Sequence, residues 1–160
     1  MTLSYHRHGR AVAFDVVGIA QPKGSTKAFV PKGWTRPVVT SDNPKIKGWQ
    51  ALVAERAQTV AHEGFFTGAV VVLVWFYLPR PASLPKRVVH ATKLPDVDKL
   101  ARGVLDALTG ILFRDDAQVV AVHAFKQYAR DQPYVHIAVC DAPPPTGIVE
   151  PVDLFAEPIP

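Results

Sequence analysis

Two kinds of periodic segment predict a single domain that contains both helices and strands. The first is a continuous apolar run, AVVVLVWFYL at residues 69–78, bounded by Gly68 and Pro79. Such a run is typical of a strand buried on both faces in the middle of a sheet. The second is a repeat of apolar residues every three or four positions, over residues 46–60 and again over 100–112, which indicates two amphipathic helices, the second from about residue 97 to 110. A chain of 160 residues is long enough for one hydrophobic core.

Three further segments fit strands that flank these elements. Residues 11–19 (AVAFDVVGI) are rich in β-branched side chains, with Asp15 expected on the exposed side of the strand. Residues 117–128 and 134–139 have similar compositions, and only residues 129–133 separate them. A connection this short predicts a hairpin of two adjacent strands.

Residues 21–39, which we call the arm, connect the first strand to the first helix. Glycines and prolines break the arm into short apolar pieces, so we expect either an irregular hairpin or an extended segment. Its basic residues are Lys23, Lys27, Lys32 and Arg36. Phe29 and Trp34 lie between them, and basic side chains interleaved with aromatics can hold phosphates and stack on unpaired bases. The alternative is a solvated loop whose aromatics pin it to the domain.

Residues 79–93 (PRPASLPKRVVHATK), which we call the basic loop, follow the central strand. Three prolines predict a loop. Its basic residues are Arg80, Lys86, Arg87 and Lys93. Such a charge run is either simply solvated or faces DNA, and its position directly before an acidic segment favours the second interpretation.

Charge and cysteine content narrow the classes of function. The chain has 18 lysine and arginine residues against 14 acidic ones, and all 18 lie within residues 1–140. Such a basic body favours a polyanionic partner, nucleic acid before membrane. A single cysteine, Cys140, excludes an internal disulfide and a cysteine-ligated zinc site and suits the reducing cytoplasm of a bacterial cell. The first ten residues do not resemble a signal peptide, and no apolar run reaches membrane-spanning length.

Residues 141–160 form a proline-rich, acidic tail after a body of residues 1–140. Its apolar cluster is Val152, Leu154 and Phe155, within PVDLF. This string resembles the short motif by which bacterial DNA-processing proteins dock onto the replication sliding clamp, with proline in place of the usual glutamine. The alternative is a segment that lies on its own domain or on a dimer partner.

Two acidic pairs bracket the second predicted helix: Asp96 and Asp98 precede it, and Asp115 and Asp116 follow it. The first pair has a purely structural interpretation, because negative charge is favoured at a helix N-terminus. If the strand after the second pair lies beside the start of the helix, three or four carboxylates converge. Carboxylates at such short distances repel each other unless a divalent cation compensates their charge. The pattern then indicates Mg²⁺ or Mn²⁺ and, on a basic surface, phosphodiester hydrolysis.

Two cations within this segment are candidates for contact with a phosphate. Arg102 lies one turn after Asp98 and either pairs with that aspartate or meets the developing phosphoryl charge. Lys99 is the other candidate. Asp106, four residues after Arg102, is expected to be the ion-pair partner of that arginine.

The continuous stretch PDVDKLARGVLDALTGILFRDDAQVV, at residues 95–120, closely resembles the RusA family of Holliday junction resolvases. In that family an RDLDNL-type motif leads into a helix with a DAL segment and ends in DDAQV. QPKGSTKAF in the arm also looks like the basic segment near the N-terminus of the family. The resemblance implies an α+β fold, with two main helices on one side of a mixed sheet of about four to five strands, and a homodimer.

On this resemblance, Asp96, Asp98 and Asp116 match the catalytic, metal-binding aspartates, and Asp115 is their neighbour. The essential lysine of the family is Arg102 here, and its asparagine after the second aspartate is Lys99. Arginine cannot donate a proton at ordinary pH, so which of the two residues supplies the catalytic positive charge stays open.

The function expected from the sequence is a Mg²⁺-dependent endonuclease, phage-type, that resolves Holliday junctions by paired symmetric cuts in recombination and repair. Dimerisation fits this function because a four-way junction has approximate two-fold symmetry. One alternative is a nuclease of the same fold that prefers flaps, forks or plain duplex. Another is a DNA-binding module without catalytic activity, in which the acids only cap the helix.

Overall fold

The computed structural model describes residues 9–24, 26–41 and 43–143 and contains a four-stranded mixed sheet, a separate hairpin and two α-helices. The elements in chain order are β1 (Ala11–Val17), β2 (Thr26–Phe29), β3 (Val38–Ser41), α1 (Ile46–Gln58), β4 (Val70–Leu78), α2 (Val97–Leu108), β5 (Val119–Tyr128) and β6 (Tyr134–Asp141). The expected α+β fold is confirmed. The predicted clamp motif at Val152, Leu154 and Phe155 lies outside the described residues.

The strand order across the sheet is β1, β6, β4, β5. β4 is interior, as its apolar run predicts. It pairs antiparallel with β6 and parallel with β5. The predicted hairpin of the last two strands is wrong, because β4 lies between β5 and β6. The backbone groups of a buried strand need partners on both edges. The connection at residues 129–133 passes over the end of β4, where the Ala129 N–H donates to the Leu78 carbonyl at 2.8 Å.

One face of the sheet packs against both helices and forms the main core. Alternate residues of a strand point to the same face. The buried residues are Val70, Val72, Val74, Phe76 and Leu78 of β4, Ile46, Trp49, Val53 and Ala57 of α1, and Leu100, Val104 and Leu108 of α2. Burying each large apolar side chain contributes roughly 1.5–3 kcal/mol, so this face fixes α2 against the sheet. The face opposite to α1 and α2 carries a smaller buried cluster of Val71, Leu73 and Cys140.

Gly103 lets the first residues of the arm approach α2 closely. A Cβ at this position would lie 3.1 Å from the Gln21 carbonyl oxygen and 3.2 Å from Ile46 Cδ1. The Lys23 N–H donates to the Lys99 carbonyl at 2.9 Å, one turn earlier on the helix. These contacts hold the base of the arm beside the start of α2.

The arm is a hairpin, one of the two forms that its sequence allows. β2 and β3 pair antiparallel, with Thr26 opposite Ser41 and Phe29 opposite Val38. Trp34, in the connection between the strands, is 63% exposed, and Phe29 is 52% exposed. These aromatics therefore do not pin the arm to the domain.

Asp15 is exposed, as expected, and its carboxylate lies 2.6 Å from His136 Nδ1 on the neighbouring strand β6.

In the part of the chain that the structure describes, neither helix has the length and apolar character needed to cross a membrane.

Candidate active site

The first acidic pair lies at the start of α2. Asp96 occupies the N-cap position, yet its side chain makes no capping hydrogen bond. Its Oδ2 instead lies 3.1 Å from Lys99 Nζ, and both side chains are about half exposed. Asp98 is exposed in the first turn of the helix. Capping therefore does not account for Asp96, and both carboxylates are accessible next to a helix end that favours negative charge.

Lys126 holds the turn that leads into this pair. Its Nζ donates to the carbonyls of Lys93 and Pro95, each at 2.9 Å, so a side chain of β5 fixes the backbone directly before Asp96. Lys126 was not among the residues predicted from the sequence. The signal for it was strand alternation: Lys126 shares the helix-facing side of β5 with Ala124 and Tyr128, where a lysine is unusual.

The second acidic pair lies in a 3-10 turn, Asp116–Gln118, just before β5. Asp115 is the N-cap of this turn, and its Oδ1 accepts the Ala117 N–H at 2.8 Å. Asp115 therefore has a structural role that the sequence analysis did not foresee. Asp116 is exposed in the first position of the turn.

The side-chain amide of Gln118 holds this turn in place through both its oxygen and its nitrogen. Its Oε1 accepts the N–H groups of Arg114 and Asp115, at 2.9 and 3.3 Å. Its Nε2 donates to the carbonyls of Phe66 and Gly68, each at 2.9 Å. The turn with Asp116 is thereby tied to the segment that leads into β4.

The two acidic pairs lie far apart in one chain. The start of α2 is bound by Lys126, near the end of β5, whereas Asp116 comes before β5 begins. The strand between Gln118 and Lys126 spans roughly 26 Å, at about 3.3 Å per residue. Within the described residues, no group of three or more Asp, Glu, His or Cys side chains is placed to hold a metal ion.

The expected convergence of the carboxylates within a single chain is therefore wrong. Its condition was that the strand after the second pair begins beside the start of the helix. In the structure α2 runs against the direction of β5, so it is the end of that strand that lies beside the start of the helix.

Two of the predicted charge contacts are rearranged. Asp106 pairs with Lys23, with Nζ and Oδ2 2.5 Å apart, and not with Arg102 as the sequence analysis expected. Gln50 Nε2 also approaches Asp106 Oδ2, at 3.4 Å. Lys23, predicted to bind DNA, thus lies in a partly buried ion pair that fastens the arm to α2. Arg102 is exposed on the helix.

The other predicted DNA-binding residues occupy two surfaces. Lys32 and Arg36 are exposed in the connection between β2 and β3, whereas the Lys27 side chain lies outside what the structure describes. Among the basic residues of the basic loop, Lys86, Arg87 and Lys93 are exposed. Arg80 is half-buried and donates to the carbonyls of Ala129 and Pro85, at 3.4 and 3.2 Å.

The donor chemistry of the first pair fits a hard divalent cation. Mg²⁺ takes oxygen ligands and is usually held by one or two carboxylates together with water and substrate phosphates. Asp96 and Asp98 supply two carboxylates on one exposed helix start. A third carboxylate from Asp116 would have to come from a second chain.

Comparisons with known proteins agree with the motif. A family model described as "Endodeoxyribonuclease RusA" matches residues 19–140, which include the arm, both helices and both acidic pairs. A protein of Bacillus subtilis (strain 168), described as "Uncharacterized protein YqaN", is 30% identical over 138 residues, covering 80% of this chain and 94% of that protein. The chain therefore belongs to the RusA endodeoxyribonuclease family.

Proposed function

We propose that the protein is a Mg²⁺-dependent, structure-selective endonuclease that resolves Holliday junctions and related branched DNA by paired symmetric cuts. The single observation that carries this proposal is the exposed Asp96 and Asp98 pair at the start of α2, with no capping bond to Asp96, in a chain of the RusA family. Mn²⁺ is expected to replace Mg²⁺ because it takes the same oxygen ligands.

Asp96 and Asp98 would hold the ion, which when bound polarises a phosphate and lowers the pKa of an attacking water. Lys99 is already paired with Asp96, and so it orients that carboxylate. Arg102 lies one turn after Asp98, on the same side of the helix, and is exposed. These contacts favour Arg102 as the group that meets the negative charge on the phosphate, and Lys99 as a positioning residue.

The separation of the acidic pairs supports a homodimeric enzyme. A two-fold axis that sets two chains antiparallel along their α2 and β5 elements would bring Asp98 of one chain near Asp116 of the other, and would do so twice. Each of the two sites would then contain three carboxylates. Two sites related by a two-fold axis match the approximate symmetry of a four-way junction and lead to paired cuts in the two strands that this axis relates.

The DNA would be held by exposed cations on the two surfaces already described. Lys32 and Arg36 would contact phosphates from the arm, together with the exposed Trp34. Lys86, Arg87 and Lys93 would do so from the basic loop, whose last residue lies three positions before Asp96. Resolution of branched DNA places the activity in recombination and repair.

Incubation with an end-labelled, fixed four-way junction tests the proposal, with Mg²⁺ in one arm and a chelator in the other. We expect symmetric paired nicks near the branch in the presence of Mg²⁺ and intact junction with the chelator. A linear duplex of the same sequence, and flap and fork substrates, are the controls for structure selectivity. Faster cleavage of duplex than of junction would replace a resolvase with a less selective nuclease. Binding without nicking at any enzyme excess would contradict the enzymatic proposal.

A further inference from the structure

A cavity of about 890 Å³ lies at the end of the sheet where α2 starts, between the basic loop, the ends of β4 and β5 and the start of β6. We call it the tyrosine pocket. Its lining includes Tyr77, Tyr128, Tyr134, Arg80, Lys86 and Arg130. Its volume lies within the roughly 300–1,000 Å³ typical of small-ligand sites. The proposed catalytic residues do not line it.

The pocket has an ordered aromatic wall. Tyr77 and Tyr134 face each other across β4 and β6, and their rings stack with centroids 4.1 Å apart and an interplanar angle of 7°. Burial raises the pKa of the Tyr134 hydroxyl, as do its hydrogen bond to Tyr77 and the nearby Asp15 carboxylate. The hydroxyl therefore stays protonated at neutral pH.

A second aromatic surface is formed by Tyr128. The Arg80 guanidinium lies over its ring, 5.4 Å from the centroid. Hydrogen bonds from Arg80 to the Ala129 and Pro85 carbonyls hold the guanidinium in this position. Arg80 therefore joins the basic loop to the pocket and presents a fixed positive charge beside an aromatic face.

The charge of the lining is positive. Arg80, Lys86 and Arg130 outnumber the one acidic lining residue, Asp131. The amides of Gln127 and Gln132 add neutral donors and acceptors. Tyrosine rings for stacking, cations for a phosphate and amides for a base edge together match the parts of a nucleotide.

The position of the pocket connects it to the candidate active site. Gln127 lines the pocket, and the preceding residue of the strand, Lys126, binds the carbonyls of Lys93 and Pro95 just before Asp96. Successive residues of a strand point to opposite faces, and β5 is at the edge of the sheet. The pocket and the acidic pair therefore lie at the same end of the sheet, next to the end of β5.

We infer that the tyrosine pocket binds a single unpaired nucleotide of the DNA substrate, with its base on the tyrosine rings and its phosphate against Arg80, Lys86 and Arg130. This inference rests on the proposed function for its substrate. A paired base would have to leave the duplex to enter, at a cost that is lowest for a base that is already unpaired. The pocket thus selects DNA with unpaired bases next to the cleavage position.

Photo-crosslinking in the presence of chelator tests the inference without any requirement for cleavage. The probe is a four-way junction with one unpaired 5-iododeoxyuridine at the branch, and a fully paired junction with the same base analogue is the control. We expect crosslinks from the unpaired base to Tyr77, Tyr128 or Tyr134, identified by mass spectrometry. Crosslinks confined to another site, such as Trp34 of the arm, would overturn the inference.

A pair of double variants supplies an independent readout. Lys86→Ala with Arg130→Ala removes two exposed pocket cations, and Lys45→Ala with Lys47→Ala removes two exposed cations at the start of α1. In chelator, the first variant should lose roughly tenfold in affinity for the unpaired junction relative to the paired one, a size typical of one lost charged hydrogen bond to a phosphate. The control variant should change both affinities equally. Equal losses in both variants, or a change of dimer mass in the first, would overturn the inference.

The outcomes separate this inference from the proposed function. Normal Mg²⁺-dependent junction cleavage with crosslinks elsewhere removes the pocket and leaves the nuclease. Pocket crosslinks in a protein that never nicks DNA remove the nuclease and leave the pocket as a binding site.

Discussion

The two ends of the layer formed by α2 and β5 each carry an acidic pair, and they are built differently. At the start of α2 the backbone is held from a neighbouring strand by Lys126, and neither aspartate is needed as a cap. At the other end Asp115 is itself the cap, and Gln118 holds the turn. Asp115 therefore has a structural role as a cap. Three accessible carboxylates, those of Asp96, Asp98 and Asp116, remain for the proposed chemistry.

The largest expected effect separates the two members of the second pair. Asp116→Asn should lower junction cleavage by about a hundredfold or more, as should Asp98→Asn, because each removes a charged ligand from the metal site. Asp115→Asn is the matched control, since asparagine caps as well as aspartate does, and its activity should stay within a few-fold of wild type. Initial rates on a labelled junction in Mg²⁺ measure all three. Equal losses for Asp115→Asn and Asp116→Asn would erase the distinction between them.

The next effect concerns the anchor at the first end. Lys126→Met removes both hydrogen bonds to the turn before Asp96 but keeps the length of the side chain. We expect a loss of roughly ten- to a hundredfold in cleavage rate, because small displacements of catalytic groups have effects of this size. Junction affinity in chelator should be nearly unchanged. Lys47→Met, on the exposed surface of α1, is the control, and similar rate losses in both variants would contradict an anchoring role.

The corresponding change at the second end should act mainly on stability. Gln118→Ala removes four hydrogen bonds to backbone groups, each of which contributes about 0.5–1.5 kcal/mol. We expect the free energy of unfolding to fall by roughly 2–6 kcal/mol in urea titration. The exposed Gln132→Ala should change it by less than about 0.5 kcal/mol. A Gln118→Ala protein as stable as wild type would show that the turn does not depend on this amide.

The smallest effect distinguishes a structural lysine of the arm from one that faces DNA. Lys32→Ala should reduce the slope of log affinity against log salt by about one unit, as expected for one lost phosphate contact. Lys23 is already paired with Asp106, so Lys23→Ala should leave that slope nearly unchanged and lower stability instead. Fluorescence anisotropy at several salt concentrations measures both slopes. A slope reduced equally by both substitutions would mean that Lys23 leaves Asp106 to bind DNA.

Local periodicity was sufficient to predict the helices, the central strand and the acidic pairs, because each depends on neighbours within a few residues. The errors came from contacts distant in sequence. The spacing of β5 and β6 suggested a hairpin, but β4, from much earlier in the chain, lies between them. Asp106 pairs with Lys23, 83 positions away in the sequence, and not with the arginine one turn before it.

Contacts between residues distant in sequence also explain why the separation of the acidic pairs and the roles of Lys126 and Gln118 were not predicted. The direction of α2 relative to β5 decides whether the acidic pairs meet, and nothing in the local pattern encodes that direction. The roles of Lys126 and Gln118 depend on carbonyls of residues 31 to 52 positions away. The position of Lys126 on the buried side of an alternating strand was the one available signal. In the structure this lysine anchors the backbone before Asp96.

Subunit mixing tests most directly the claim that each site is completed by a second chain. Asp98→Asn and Asp116→Asn chains, carrying different tags, are co-expressed, and the mixed dimer is isolated by both tags. In that dimer one site carries both substitutions and the other carries neither. We predict that the mixed dimer nicks one strand of a junction in Mg²⁺, whereas neither parent dimer does. A mixed dimer as inactive as its parents would contradict the claim that Asp116 of one chain completes the site of the other.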